Sequence, residues 1–272
     1  RESAVSWRMK FNMARNWNRF EKSYSGKDVV DGDGTLLVVG RPLNGLYVWA
    51  HRGYYNSDAE VPRLYKIDGQ EIYFNDVATN GISGAVGDYR LLDLDGDGNP
   101  DSYYAGSPLP LAHGGWVNEL MWKNFDLNVL VNFTIGRKMI NNRMGLGFSR
   151  QSEDGHLTKL FDYRKLRPWD GVNKKPNAPA WGNSLSMNTD SAIEKVHHLA
   201  LKQITLGYNL PDRISKKAGL SGVRFFLTAE NLFYLSNYSG GNPEVVNIYT
   251  GRDNGDTYPL PRKYTLGLTL NF

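Results

Sequence analysis

The stretch Phe125-Asp126-Leu127-Asn128-Val129-Leu130-Val131-Asn132-Phe133-Thr134-Ile135 decides the fold. Apolar side chains fill every odd position and polar ones nearly every even position, with Leu130 the one interruption. A repeat of two places alternate side chains on opposite faces of a strand. The run is longer than the usual strand of about 5 to 6 residues, and when tilted it is long enough to cross a bilayer.

The same pattern recurs in both directions along the chain. Val5, Trp7, Met9, Phe11 and Met13 alternate with Ser6, Arg8, Lys10 and Asn12. At the other end Tyr264, Leu266, Leu268, Leu270 and Phe272 alternate with Thr265, Gly267, Thr269 and Asn271. Three less regular strands are predicted over Trp116 to Trp122, Leu199 to Leu210 and Val223 to Phe233. Within the second of these, Leu199 and Leu201 are out of phase with Ile204, Leu206, Tyr208 and Leu210. One extra residue near Lys202 and Gln203, a β-bulge, would restore a single apolar face.

Connection lengths alternate as well. Lys123 and Asn124 join two strands almost directly, and Pro211 to Ser221 joins another pair, whereas 14–115, 137–198 and 235–262 are long. Short turns on one rim and long loops on the other characterise outer-membrane barrels, the short turns being periplasmic. The expected fold is therefore all-β, a membrane-spanning antiparallel barrel with long extracellular loops, in which Phe272 ends on the periplasmic side. Two other architectures fit parts of the pattern. A small passive porin of eight strands needs further lipid-facing strands inside the long loops, and a soluble calcium-braced β-sandwich adhesin needs a second sheet over the apolar face.

Composition agrees with a barrel. Aromatic residues make up 12% and glycine numbers 29, as strands, turns and interfacial aromatic belts require. The mean hydropathy of −0.49 is no objection, because barrel strands never build a continuous apolar run. The absence of cysteine excludes disulfides and thiolate metal sites. The net charge of +4 is dispersed rather than clustered, so no nucleic-acid partner is expected. The first residues show no apolar leader segment, so the natural start of an outer-membrane protein is expected upstream. Six tilted strands also leave two unpaired edges, which hydrocarbon does not tolerate, so the remainder of the barrel must be supplied.

Several passages then resemble one family. These are Val39-Gly40-Arg41-Pro42-Leu43-Asn44-Gly45-Leu46-Tyr47-Val48-Trp49, Asp93-Leu94-Asp95-Gly96-Asp97-Gly98, Lys123-Asn124-Phe125-Asp126-Leu127, Leu201-Lys202-Gln203-Ile204-Thr205-Leu206-Gly207-Tyr208-Asn209-Leu210-Pro211 and Phe226-Leu227-Thr228-Ala229-Glu230-Asn231-Leu232-Phe233. With the closing Tyr264 to Phe272, their order and spacing resemble those of SusC/RagA-type TonB-dependent transporters. Asp95, Trp49 and Arg52 depart from the usual Asn, Tyr and Asp of that family. The resemblance implies a plugged barrel of 22 strands, with residues 1–272 as the C-terminal part and the N-terminal plug and earlier strands outside this chain. It further implies import of a large nutrient, an oligosaccharide or alternatively a peptide, with a SusD-like surface lipoprotein over the mouth and periplasmic TonB pulling on the plug. An aromatic residue closing an amphipathic final strand resembles an assembly signal, carried here by Tyr264, Leu266, Leu268, Leu270 and Phe272.

Candidate sites are few. Asp93, Asp95, Asp97, Asn99 and Asp101, within the 93–104 loop, have the alternate spacing that brings carboxylates onto one Ca2+, although Tyr104 stands where a bidentate Glu would complete an EF-hand loop. The competing reading is a turn whose carboxylates cap their own backbone. Trp169, Trp181, Tyr163, Tyr249 and Tyr258 fall on long loops, where they would contact sugars or a lid, or pack against the loops themselves. His197 and His198 are adjacent on a strand and point oppositely, so they are expected as a solvated pair at the rim. Arg224 and Glu230 are expected to face the lumen. No nucleophile elbow or phosphate loop occurs, and neither catalysis nor an organic cofactor is expected.

Overall fold

In a computed structural model of the chain, residues 5–30, 36–61, 63–65, 71–73, 86–96, 101–142, 167–172, 174–180, 189–255 and 257–272 are described. Six long strands form one antiparallel meander: β1 Val5–Ala14, β2 Ala112–Trp122, β3 Phe125–Asn141, β4 Ile193–Asn209, β5 Gly222–Ser236 and β6 Lys263–Asn271. Each pairs with its neighbour in sequence, and a short strand, Arg252–Asp253, adds in parallel to the end of β3.

The register lines up the apolar positions of all six strands. Trp7 opposes Leu120, Leu120 opposes Leu127, Leu127 opposes Leu206, Leu206 opposes Leu227, and Leu227 opposes Leu266. One face of the sheet is thus an unbroken apolar band. All but the half-buried Leu127 are nevertheless exposed, Trp7 at 67% and Leu266 at 81% of their surface. A soluble sandwich would bury this face against a second sheet. Among the described residues nothing covers it, and the short strand pairs in the long loops form separate two-stranded sheets rather than further lipid-facing strands. Exposed apolar surface on this scale is what lipid, and not water, accommodates. No helix of the described residues is long and apolar enough to cross a membrane.

An aromatic row marks the short-turn end of the band. Trp122 and Phe125 stack with ring centroids 6.1 Å apart, Phe125 lies 4.7 Å from Tyr208, and Tyr208 pairs with Phe225. A second group lies toward the long-loop end, where Phe11 stacks on Phe133 at 5.9 Å beside Gly114. Gly114 is obligatory there, because a Cβ would stand 2.1 Å from the backbone oxygen of Asn12. Eight residues separate Phe125 from Phe133, roughly 20 Å across a bilayer for a strand tilted near 40°.

The phase slip read from the sequence is present. Lys202 has no partner where Gln203 pairs with Leu130 and Leu201 with Val131, so both halves of β4 keep their apolar residues on one face. On the opposite side of β4 the ladder skips Asn231 and Leu232, and Asn231 takes φ 51°.

The strands also run further than the alternation predicted. β3 continues past Ile135 to Asn141, β4 starts at Ile193 rather than Leu199, and β5 ends at Ser236 rather than Phe233. A second bulge at Gly136, φ 70°, shifts the phase between Thr134 and Arg137 and so hides the continuation of β3. Beyond it both faces are covered. Met139, Ile140 and Val196 are fully buried, and the folded loops around them form a cap at the long-loop end.

Candidate functional site

The face opposite the apolar band is mainly polar, interrupted by Val117, Met121, Leu130 and Phe226. Glu119 on β2 receives Lys10 at 2.9 Å and Arg8 at 3.4 Å from β1. Arg224 on β5 donates to Asp126 at 2.6 Å, Lys263 lies 3.3 Å from Glu230, and the hydroxyls of Thr205 and Thr228 meet at 2.9 Å. Arg224 and Glu230 face inward as expected, each with a partner of opposite charge. Such cross-strand ion pairs suit a water-filled interior, where each contributes modestly.

The cap is assembled from long connections. Leu46–Trp49 pairs with Ser102–Gly106, and His51–Tyr54 pairs with Tyr89–Leu91. Leu46, Val48 and Ala105 pack on Ile140, while Tyr238 and Val246 pack on Met139 and Val196. At the centre lies Arg137, 4% exposed. Its guanidinium donates to the carbonyls of Pro108 at 3.2 Å, Pro243 at 3.2 Å, Val246 at 2.9 Å and Asn247 at 2.6 Å. Four backbone acceptors from two loops thereby replace the water that a buried cation loses. His51 Nδ1 bonds Asp190, which also accepts the Tyr103 hydroxyl at 3.2 Å, so the first long loop is tied to the entry of β4. The rings of Tyr54 and Tyr89 stack beside this pair at 5.4 Å. Burial pushes the Tyr89 phenol above its ordinary range and the Tyr55 phenol up to about 12. None of these hub residues was singled out from the sequence. The one signal was the cationic pair Arg137-Lys138 closing the apolar run of β3.

The aspartate loop sits on the cap surface. Carboxylate oxygens of Asp93, Asp95 and Asp101 lie within 4.8 Å of one another, while Asp97 and Asn99 fall outside the described residues. The carboxylates converge, yet Asp101 also accepts the backbone N–H of Leu94 at 2.6 Å, and Asp93 that of Gly96 at 2.6 Å. Trp169 packs against Gly87 and donates to Asn56 at 3.1 Å, so it serves the cap's own packing. Tyr249 and Tyr258 are 66% and 93% exposed; Tyr163 and Trp181 lie outside the described residues. The two histidines do not form a solvated pair. His197 is exposed, but His198 is buried beneath the 243–246 turn, with Nε2 3.9 Å from Glu244. Phe272 is 92% exposed at the end of the apolar stripe of β6.

An apolar outer face, an ion-paired inner face, short turns on one rim and a folded cap on the other define part of a membrane β-barrel. No family model matches the chain. It is 25% identical to TonB-dependent receptor P3 of Formosa agariphila over 98% of its length, and 27% identical to TonB-dependent receptor SusC of Bacteroides thetaiotaomicron, also over 98%. It covers 27% and 24% of those proteins, so it spans about a quarter of the relatives it matches. The structure of the RagAB peptide transporter superposes with a TM-score of 0.68 at 22% identity, covering all of this chain and 28% of that one. The chain is a partial barrel that is similar, over nearly its whole length, to part of SusC-type TonB-dependent receptors, and it shares its fold with part of the RagAB structure.

Proposed function

We propose that this chain supplies the C-terminal wall and part of the extracellular cap of an outer-membrane transporter that imports a large nutrient, an oligosaccharide, with energy delivered by TonB. The observation that carries this reading is the sheet itself, with apolar side chains exposed on one face and ion pairs on the other. The plug, the TonB contact and the earlier strands belong to the rest of the protein, and a SusD-like lipoprotein covers the mouth. The test is uptake by cells expressing the whole transporter. Labelled oligosaccharide should enter only when TonB is intact, and mild-detergent purification should recover the lipoprotein. Uptake indifferent to TonB overturns the energised mechanism, and uptake of oligopeptides instead of oligosaccharides transfers the reading to a peptide importer of the same architecture.

The aspartate loop is read as a structural Ca2+ site, resting on the convergence of Asp93, Asp95 and Asp101. Calcium should protect the 93–104 loop from protease, and chelation or Asp95→Asn should remove that protection. Equal cleavage with and without calcium overturns the assignment.

A further inference from the structure

The turn between β4 and β5 carries more charge than a connection requires. Residues Asp212–Ser215 form an α-turn that continues as a 3-10 turn over Lys216–Ala218. Arg213, Lys216 and Lys217 are spaced three and four apart, which puts the three cations on one face of this helical segment. All three are exposed and have no ion-pair partner among the described residues, and Asp212 is the only side-chain carboxylate of the connection. The adjacent face carries Ile214, 52% exposed, beside Ala218, while Ser215 is fully buried against the barrel end. A small cationic face next to an exposed branched apolar residue is the pattern of a segment lying at a membrane interface.

Its position fits that description. The backbone N–H of Asn209 donates to Asn124 at 2.8 Å, which brings this turn against the Lys123–Asn124 hairpin. Lys123 there adds a fourth cation, its ammonium 5.1 Å above the Trp122 ring. Trp122 in turn begins the aromatic row Trp122, Phe125, Tyr208 and Phe225 on the apolar face. The cations therefore stand just beyond the aromatic residues that mark the edge of the hydrocarbon.

We propose that Arg213, Lys216, Lys217 and Lys123 bind the phosphate headgroup of an anionic phospholipid in the periplasmic leaflet, with Ile214 entering the acyl boundary. The proposal rests on the barrel reading and its orientation. Cations beside an anionic surface add about 1 kcal/mol each, so the three on the helical turn give on the order of a hundred-fold preference over a zwitterionic lipid.

The test uses the whole transporter in nanodiscs of phosphatidylethanolamine, alone or mixed with phosphatidylglycerol, with retained lipid read by native mass spectrometry. Wild type should retain phosphatidylglycerol selectively, and R213Q/K216Q/K217Q should lose most of that selectivity while keeping the heat-resistant gel mobility of a folded barrel. K174Q/K175Q, which removes exposed charge from a long loop, should retain it. Equal retention by wild type and the R213Q/K216Q/K217Q variant overturns the proposal alone. Displacement of the lipid by soluble glycerophosphate also overturns it, since the site then takes a free phosphate. A wild-type protein that never enters the bilayer overturns the barrel reading and this proposal together.

Discussion

The wall and the cap use the same residue types in opposite ways. In the wall, Leu120, Leu206, Leu227 and Leu266 point outward and stay exposed, whereas in the cap Leu46, Val48, Met139, Ile140 and Val196 are buried. Strands β3 and β4 pass through both regions, so the inversion occurs within single strands. Apolar side chains face whatever solvent surrounds them. For the wall that solvent is lipid, which is as apolar as leucine itself and gains nothing from side chains packing together. The cap stands in water, where burial is the driving force.

The largest effect that would break this comparison is expected at Arg137. Arg137→Ala takes the side-chain donor from the buried carbonyls of Pro108, Pro243 and Val246, while that of Asn247 keeps the Gly251 N–H, and should cost about 3 to 5 kcal/mol of local stability. Hydrogen exchange should rise across 107–111 and 243–247 while the barrel keeps its heat-resistant gel mobility. If the wall melts as well, the two regions are not separate cooperative units.

Next comes the same apolar deletion made in each region. Ile140→Ala should cost about 2 to 5 kcal/mol, as a cavity in a packed core does. Leu266→Ala should cost under about 1 kcal/mol, because lipid fills the space. Denaturant unfolding of the refolded transporter measures both, and equal costs would contradict a lipid-facing wall. Charge sharpens the test within one strand. Leu268→Lys, on the lipid face, should destabilise by about 2 to 4 kcal/mol, while Thr269→Lys, on the ion-paired face, should be tolerated. The reverse outcome would invert the barrel. At Phe272 the effect is expected in assembly more than in stability. Phe272→Ala removes at most about 1.5 to 3 kcal/mol of apolar transfer and should lower the yield of inserted barrel, scored in membrane fractions, far more than the melting temperature of what inserts.

The wall was legible from the sequence because each strand has one lipid face and one polar face, so the period of two survives in Val5 to Met13, Phe125 to Ile135 and Tyr264 to Phe272. Even the bulge was legible, since Leu201 and Ile204 cannot share a face without it. The cap was not. Past Gly136 both faces of β3 are covered, so Met139 and Ile140 are apolar neighbours without alternation. Its central side chain is held by main-chain carbonyls, which every residue possesses and no sequence distinguishes. The aspartate loop lies between these cases: its alternate carboxylates showed on sight, but their bonds to Leu94 and Gly96 depend on a fold that composition does not encode.

The register of the meander also sets an order of assembly. β2 and β3 are joined by a two-residue turn, Lys123–Asn124, and β4 and β5 by the short 210–221 connection, so these two pairs can zip with little loop-closure entropy, whereas β3–β4 and β5–β6 must first close the longer 142–192 and 237–262 connections. β1 must close the 15–111 connection, the longest of all, before its ladder with β2 repays that cost. The tethers of the cap reach further still, with Arg137 and Val246 separated by 109 positions and His51 and Asp190 by 139. Folding of this chain should therefore begin at the β2–β3 hairpin and finish with the Arg137 and Asp190 tethers, so the cap is completed only on a wall that already stands.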